Sequence, residues 1–205
     1  MHLLTLFDKL MTEHNVTYFM YGGTLIGSYR HHGMVPWDDD IDVILSTNLK
    51  GHLKQIFSNV STDYTLYIHP TCGGKLFLSR GKLIPQFLWS YPFLDLFFYG
   101  KNATHIWDTC PHYKKRFCYP KSIVFPLRRR PFENLYLLAP RDTRAVISTT
   151  YNLHECRSAS YNHSIEHYIK YITVKCSRLH SLHPFVTRKN VNGGCNETLV
   201  YKGNI

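Results

Sequence analysis

The chain has 205 residues, of which 44% are hydrophobic and 19% are charged, and its formal net charge is +10. This length and composition indicate one domain with a full-sized core and exclude an intrinsically disordered chain. No apolar run is long enough to cross a bilayer. The positive charge favours an anionic partner, for which nucleic acid, an anionic membrane surface and nucleotide phosphates are all suitable.

The chain begins with a predicted helix, strand and second helix. Residues 2–14 carry apolar side chains at helical spacing, which predicts an amphipathic helix. Residues 16–21 are rich in β-branched and aromatic side chains and predict a strand that ends at a pair of glycines. Thr24 is expected to cap the second helix, which continues to about His32 and stops at Gly33.

Further elements follow in the remainder of the chain. Up to residue 100, the patterns predict strands at 41–45, 64–69, 75–79 and 93–99 and a helix at 47–60. Beyond residue 100 they predict strands at 122–126 and 133–138 and helices near 142–150 and 161–172, with the last thirty residues loop-like. We therefore expect one α+β domain over residues 1–175 and a poorly defined extension over 176–205.

Sequons and cysteines favour the oxidising lumen of the secretory pathway. Residues 1–15 lack the basic region and cleavage site of a signal peptide, so either the chain is a luminal piece of a longer protein or the sequons are unused. A zinc site formed by Cys110, His112 and Cys118 is an alternative to a set of disulfides. The sequons are at Asn15, Asn59, Asn102, Asn162 and Asn196, and the cysteines are Cys72, Cys110, Cys118, Cys156, Cys176 and Cys195.

Residues 21–43, YGGTLIGSYRHHGMVPWDDDIDV, form the most informative stretch. Because side chains on a strand alternate between its faces, Asp40 and Asp42 are expected to project together while Ile41 points into the core. Two neighbouring carboxylates repel each other unless a cation lies between them. Mg²⁺ or Mn²⁺ would relieve this repulsion, since these ions prefer oxygen ligands.

A third acid, Asp95, stands alone in the apolar run 93–99. Its burial without a cation or strong donors would be costly. Three carboxylates on neighbouring strands can hold one or two metal ions that polarise a phosphoryl group. The sequence therefore predicts Asp40, Asp42 and Asp95 as the metal ligands and catalytic residues.

A phosphate site is predicted beside these acids. Gly22 and Gly23 allow a ligand to approach the backbone closely. The free N–H groups at the start of the following helix, near Thr24, suit a phosphate. Arg30 lies further along this helix and is expected to add a charge-assisted hydrogen bond. We interpret these four residues as the donor-phosphate-binding group.

Several other polar residues have ordinary interpretations. Asp38 and Asp39 precede the predicted strand and are interpreted as turn residues or as support for the acids. His31 and His32 lie near a helix end, where caps and surface residues are commoner than catalytic groups. The arginines at 128–130 are assigned either to the donor diphosphate, to an anionic glycan or to the solvated surface.

Residues 21–43 resemble the signature of the LicD family, which includes bacterial phosphorylcholine transferases and animal fukutin and fukutin-related protein. The stretch FLDLFFYG at 93–100 resembles the strand that carries the third acid of that family. PLRRRPFENLYLLAP at 126–140 resembles the segment after the catalytic core in animal members. The resemblance is dense over residues 3–45 and recognisable to about 150.

The resemblance implies a nucleotidyltransferase-like fold, with a small mixed β-sheet flanked by helices. It implies an enzyme that uses Mg²⁺ or Mn²⁺ to move ribitol phosphate or phosphocholine from a CDP-activated donor to a glycan or glycoprotein acceptor. Animal members carry a membrane anchor upstream, so we expect a location in the Golgi lumen and membrane attachment only through a missing N-terminal anchor. By position, the metal ligands are Asp40, Asp42 and Asp95, and the nucleotide-phosphate contacts are Gly22, Gly23 and Arg30.

Two other classes of protein are compatible with the sequence. A non-catalytic glycan-binding member of the family would keep the fold, although the presence of all three acids argues against it. A nucleic-acid nucleotidyltransferase would explain the basic charge, but the sequons and cysteines argue against that compartment. No nucleic-acid partner is therefore expected.

Overall fold

The computed structural model describes residues 1–192 and 194–202 and shows an α+β fold. The helices are α1 (His2–Glu13), α2 (Gly22–His31), α3 (Lys50–Ser58), α4 (Lys121–Val124) and α5 (Thr143–Ser148), with 3-10 turns at Thr47–Leu49 and Cys176–Leu179. The strands are β1 (Tyr18–Met20), β2 (Asp42–Ser46), β3 (Tyr64–Ile68), β4 (Gly74–Leu83), β5 (Ser90–Lys101), β6 (His105–Asp108), β7 (Cys118–Pro120), β8 (Arg128–Phe132), β9 (Leu135–Ala139), β10 (Glu155–Arg157), β11 (Tyr161–Asn162), β12 (His167–Tyr168), β13 (Thr173–Lys175), β14 (Phe185–Val191) and β15 (Gly194–Val200).

The main sheet has seven strands in the order β1-β2-β5-β4-β3, with β6 paired to β5 and β7 paired to β6. β2 and β5 run parallel, whereas the other described pairs of this sheet are antiparallel. β5 has 12 residues, so its first part pairs with β4 and its last part with β6. The expectation of a nucleotidyltransferase-like mixed sheet flanked by helices is confirmed.

The core joins the N-terminal helix to the sheet. Leu4, Phe7 and Met11 of α1 are fully buried. The Phe7 ring packs against Tyr18 of β1 and Phe57 of α3, with centroid separations of 5.1 and 6.3 Å. Burial of each such side chain stabilises the fold by about 1.5–3 kcal/mol. These contacts hold α1 and α3 together beside β1.

The second helix begins earlier than predicted. α2 starts at Gly22, and its N-cap residue is Tyr21 in extended conformation. The prediction that Thr24 caps this helix is wrong, because Thr24 lies inside the first turn. Its hydroxyl oxygen instead accepts a hydrogen bond of 2.7 Å from the backbone N–H of Asp42. The side chain thereby links α2 to the start of β2.

The same helix also ends differently. His32, at φ 53°, is the left-handed residue that terminates α2, one position before the predicted stop at Gly33. Its ring nitrogen Nε2 lies 3.0 Å from the Glu197 carboxylate, so the residue that ends α2 also contacts β15. A Cβ at Gly33 would lie 2.3 Å from Glu133 Oε1. A larger residue at position 33 would therefore displace the end of the Glu133 side chain, whose Oε1 accepts a hydrogen bond from the Met34 N–H.

Two predictions beyond residue 100 are wrong. The predicted strand 122–126 contains the helical turn α4, in which the Phe125 N–H donates to the Lys121 carbonyl. Periodicity alone does not separate helix from strand in so short an apolar run. The predicted helix 161–172 contains the short strands β11 and β12, which pair with each other. The strand at 133–138 and the helix near 142–150 are confirmed as β9 and α5.

The last part of the chain is more ordered than predicted. Strands β14 and β15 form a hairpin, not a loop. Phe185 of β14 is buried, with its ring 4.5 Å from that of His31 in α2. Glu197 of β15 forms an ion pair of 2.8 Å with Arg130. The hairpin thus packs against the rest of the fold, and positions 193 and 203–205 of the predicted extension lie outside the described residues.

Two disulfides fit the predicted oxidising compartment. They join Cys72 to Cys110 and Cys156 to Cys176. Because Cys110 is in a disulfide, the alternative zinc site is wrong. Among the described residues, Cys118 and Cys195 are exposed and form no disulfide. No described helix is both long and apolar enough to cross a membrane.

Candidate active site, a buried carboxylate cluster

The parallel pairing of β2 with β5 places two acids side by side. Asp42 is the first residue of β2 and the register partner of Asp95 in β5. Asp40 stands two positions before Asp42, and one carboxylate oxygen from each of the three residues lies within 4.8 Å of the others. The structure therefore brings together the three predicted catalytic acids, and their role as metal ligands stays a prediction.

The turn that begins α2 positions Asp42. Gly22 has φ +50°, and a Cβ at this residue would lie 2.5 Å from Asp42 Oδ2. The Gly23 N–H donates a 3.0 Å hydrogen bond to the same oxygen. Together with the hydroxyl of Thr24, these contacts place Asp42 at the positive end of the helix dipole. Gly22 and Gly23 also line the cavity, and their contact with a phosphate stays a prediction.

Burial dominates the electrostatics of the cluster. Burial, and then the charge of Asp95, raise the pKa of Asp40 to about 7. Burial and the charge of Asp40 raise the pKa of Asp42 well above its ordinary value. Burial also raises the pKa of Asp95, against the opposing effect of Lys75. Three negative charges are therefore unfavourable here without an additional cation.

Lys75 of β4 is a neighbour of the cluster that the sequence analysis did not identify. It is the antiparallel register partner of Asp95, and its ammonium lies 2.7 Å from Asp95 Oδ1. The same nitrogen lies 3.3 Å from Glu166 Oε1 and 3.5 Å from the centroid of the Phe93 ring. A lysine on a strand is not distinctive in a sequence, so only the strand pairing identifies it.

His163 was also missed, because its segment was predicted to be helical. Its Nδ1 lies 2.7 Å from Asp39 Oδ1, and its Nε2 lies 3.2 Å from Asp40 Oδ2. Its backbone N–H donates to Asp39 Oδ2 at 3.1 Å. Asp39 is thus more than a turn residue, since it connects His163 to the loop that carries Asp40. Asp39, Asp40 and His163 form a second group with ligand atoms close enough to share an ion.

Arg30 makes backbone contacts that were not expected from its predicted role in phosphate binding. Its side chain is buried, and its Nη2 donates to the carbonyls of Asn152 at 2.9 Å and Glu155 at 2.8 Å. Burial lowers its pKa, and no carboxylate of the described residues pairs with it. Arg30 anchors the backbone before β10 while also lining the cavity. Its contact with a donor phosphate stays a prediction.

The other candidates from the sequence have structural partners. His31 Nδ1 lies 2.7 Å from the Pro184 carbonyl, and burial lowers the pKa of this histidine to about 4. Arg129 donates to the Tyr136 carbonyl at 2.6 Å. The residues that line the cavity do not include the run Arg128–Arg130, whereas they do include Arg116. Arg116 is therefore better placed than the arginines at 128–130 to contact the phosphates of a ligand.

A cavity of about 790 Å³ contains the cluster. One wall is the segment 157–173, here called the strap, which lies between the cysteines of the Cys156–Cys176 disulfide. The strap contributes His163 and Glu166 to the site. The rest of the lining comes from the acids, from α2, β4 and β5, and from Trp89 just before β5. It includes Gly22, Gly23, Arg30, Asp40, Asp42, Lys75, Trp89 and Asp95.

The mixed sheet and the paired acids of β2 and β5 define a nucleotidyltransferase-like domain. Comparison with known families agrees, because residues 15–142 match the model described as LicD/FKTN/FKRP, nucleotidyltransferase domain. The match covers more than half of the chain and includes all three acids. The chain therefore belongs to the LicD family.

Individual relatives are similar over parts of the chain. An uncharacterised protein of Rickettsia typhi is 27% identical over 137 residues, which are 65% of this chain and 39% of that protein. The lipopolysaccharide cholinephosphotransferase LicD of Haemophilus influenzae is 47% identical over 45 residues, 22% of this chain and 17% of that protein. The ribitol 5-phosphate transferase FKRP of Homo sapiens is 25% identical over 136 residues, 63% of this chain and 26% of that protein. The chain thus spans well under half the length of these curated relatives.

Proposed function

We propose that the chain is a metal-dependent transferase that moves a phosphate-linked alcohol from a CDP-activated donor to a glycan or glycoprotein acceptor. One observation carries the proposal: Asp40, Asp42 and Asp95 converge in a single large cavity of a LicD-family domain. The names of two relatives describe transfer of choline phosphate and of ribitol 5-phosphate. Both reactions move an alcohol together with its phosphate.

The carboxylate cluster fits Mg²⁺ or Mn²⁺. Its donors are hard oxygen atoms that lie within 4.8 Å of one another, which suits these ions. Burial raises the pKa of all three acids, and repulsion within the cluster adds to this for Asp40 and Asp42, so a nearby cation would be strongly favoured. Asp40, Asp42 and Asp95 would hold the ion. When bound, the ion stabilises negative charge that develops on the phosphoryl group.

In the proposed reaction, an acceptor hydroxyl attacks the phosphorus that carries the alcohol. A new O–P bond forms, the bond to CMP breaks, CMP leaves with the electron pair, and the hydroxyl proton is lost to solvent. The protein contributes mainly by positioning charges before the reaction. Gly23 and Thr24 hold Asp42, while Lys75 holds Asp95 at the matching position of β5. The strap forms one wall of the cavity in which this reaction would take place.

We also propose a luminal location in the secretory pathway, in the Golgi. Two disulfides support an oxidising compartment. The sequon asparagines Asn15, Asn59, Asn102 and Asn196 are exposed, so each is accessible to a glycosylating enzyme.

The decisive experiment measures CMP release from CDP-ribitol, CDP-glycerol and CDP-choline with Mn²⁺ or Mg²⁺, in the presence of candidate glycan acceptors. We expect metal-dependent release by the wild type and its loss in Asp42→Asn. Glu13→Gln is the control for removal of a carboxylate, because Glu13 is exposed on α1 and pairs with the exposed Lys9 away from the cavity. Equal release by Asp42→Asn and wild type would contradict the proposal.

Two other outcomes separate the rival classes. A folded wild type that binds glycan but neither Mn²⁺ nor CDP would favour a non-catalytic glycan-binding protein. RNA binding with a steep salt dependence, in the absence of CDP binding, would favour a nucleic-acid enzyme.

A further inference from the structure

The ammonium group of Lys75 occupies a recess made of aromatic rings. It lies 3.5 Å from the centroid of Phe93 and 5.2 Å from that of Trp89. The Tyr67 ring packs against Trp89, with 5.4 Å between the ring centroids. We call Tyr67, Trp89 and Phe93 the aromatic recess. Ring faces at these distances attract a cation, so the recess is a cation-binding environment.

Two carboxylates complete this environment. Asp95 and Glu166 lie 2.7 and 3.3 Å from the Lys75 ammonium. Glu166 is held in place by hydrogen bonds of 2.9 Å from the Trp89 ring N–H and from the Tyr161 hydroxyl. The side chains of Lys75 and Glu166 are only 13% and 6% exposed. The recess is therefore filled by a cationic group of the protein itself.

The recess adjoins the carboxylate cluster. Asp95 belongs to both, since it bonds to Lys75 and lies with Asp40 and Asp42. Lys75, Trp89 and Glu166 line the same cavity as the cluster. If the donor phosphate binds at the carboxylate cluster, the alcohol joined to that phosphate could therefore reach the aromatic recess.

We propose that Lys75 selects the donor of this transferase and that the transferred alcohol is a neutral polyol. The reason is that the Lys75 ammonium occupies the recess that a quaternary ammonium would use. The inference rests on the proposed function and concerns the alcohol at the same site. Lys75 is thus a specificity-determining residue.

The physical basis is that the Lys75 ammonium and a quaternary ammonium of the donor would compete for the same aromatic recess. A quaternary ammonium has no N–H group to donate, so aromatic faces and nearby negative charge are what a protein can use to bind it. Here the Lys75 ammonium already uses both, and its like charge would repel a second cation at that place. A neutral polyol meets no such repulsion. Its hydroxyl oxygens can accept from Lys75, and its hydroxyl groups can donate to Glu166.

The test compares equilibrium binding of CDP-ribitol, CDP-glycerol and CDP-choline to the Mn²⁺-loaded full chain, with CDP as the reference. All four ligands share the nucleotide, so differences report the alcohol. We expect CDP-ribitol or CDP-glycerol to bind roughly tenfold more tightly than CDP-choline, a ratio within the range that cation–aromatic contacts support. Wild-type binding of CDP-choline as tight as that of both polyol donors would overturn the inference while leaving the proposed function intact. Absence of binding by CDP and by every donor would instead overturn the proposed function.

Three variants examine the role of the ammonium. Lys75→Met removes the charge at similar length, and we expect the preference to shift roughly tenfold toward CDP-choline. Lys75→Arg keeps a cation in the recess and is expected to keep the preference for a polyol. Lys82→Met is the matched control on the same strand, since Lys82 is exposed, and it should leave the ratio unchanged. An unchanged ratio in a folded Lys75→Met would overturn the inference, and if that variant does not fold, loss of the preference in Lys75→Arg would overturn it.

Discussion

Asp42 and Asp95 are register partners in the parallel pairing of β2 and β5. Because partner residues project from the same face of a sheet, two acids that are distant in sequence become neighbours beside the Gly22 turn. Burial then raises the pKa of both carboxyl groups, and for Asp42 the charges of Asp40 and Asp95 raise it further. A structural pairing thus produces a strongly perturbed ionisable cluster, which is the kind of place where function is expected.

The first prediction concerns pH and metal. The pKa of Asp40 rises from its ordinary value of 3.8 to about 7 in the folded protein, so the folded state holds a proton that the unfolded state loses. Without metal, stability should therefore fall as pH rises between about 4 and 7, by roughly 4 kcal/mol at most from this group. Urea unfolding across this range should show a smaller fall in Asp40→Asn.

Since protons compete with the ion, Mn²⁺ affinity of the wild type should rise over the same range. A pH-independent Mn²⁺ affinity would contradict this account.

The second prediction concerns the Gly22 turn. In Gly22→Ala the new Cβ would meet Asp42 Oδ2 at 2.5 Å, and the positive φ adds about 1–2 kcal/mol of strain. We expect CMP release to fall by about 100-fold, because Asp42 must move. Gly51→Ala is the control, since a Cβ there meets nothing within 4 Å. It should leave turnover unchanged and raise the unfolding free energy by up to about 1 kcal/mol, because Gly51 lies within α3.

The third prediction concerns His163, which holds Asp39 and Asp40 through its two ring nitrogens. His163→Ala should reduce Mn²⁺ affinity by roughly 10–100-fold, the usual effect of removing a group that orients a metal ligand. Calorimetric titration with Mn²⁺ measures this directly. His112→Ala, at an exposed histidine outside the cavity, should bind Mn²⁺ like the wild type. Equal affinities in the two variants would mean that His163 does not position Asp40.

The fourth prediction concerns the strap. Replacement of both Cys156 and Cys176 by alanine opens a loop whose ends are 20 residues apart, which should cost about 3 kcal/mol of stability. CDP binding should weaken as well, because His163 and Glu166 would lose their fixed positions. Denaturant unfolding and CDP titration measure the two effects. Cys118→Ala provides the comparison, since Cys118 is exposed and unpaired, and it should change neither quantity.

Local patterns in the sequence are sufficient for much of the first hundred residues. The helix at 2–14 and the strand at 93–99 follow from apolar spacing and are found as α1 and β5. Around residues 161–172 the apolar and polar residues fit a helical pattern, yet the chain forms β11 and β12. Those strands are short, and the segment that joins them is held by contacts with distant residues, such as Glu166 with Lys75. Local propensity carries no information about such contacts.

Residue types and their spacing along short stretches were enough to predict the α+β class, the three candidate acids and the family pattern. Four relationships appear only in the folded chain. Asp42 is paired with Asp95, and Lys75 fills the aromatic recess. His163 joins Asp39 to Asp40, and Arg30 anchors the backbone near Glu155. Each of these relationships joins residues from separate elements. Strand register and chain packing create them, and neither can be read from the spacing of residues along one segment.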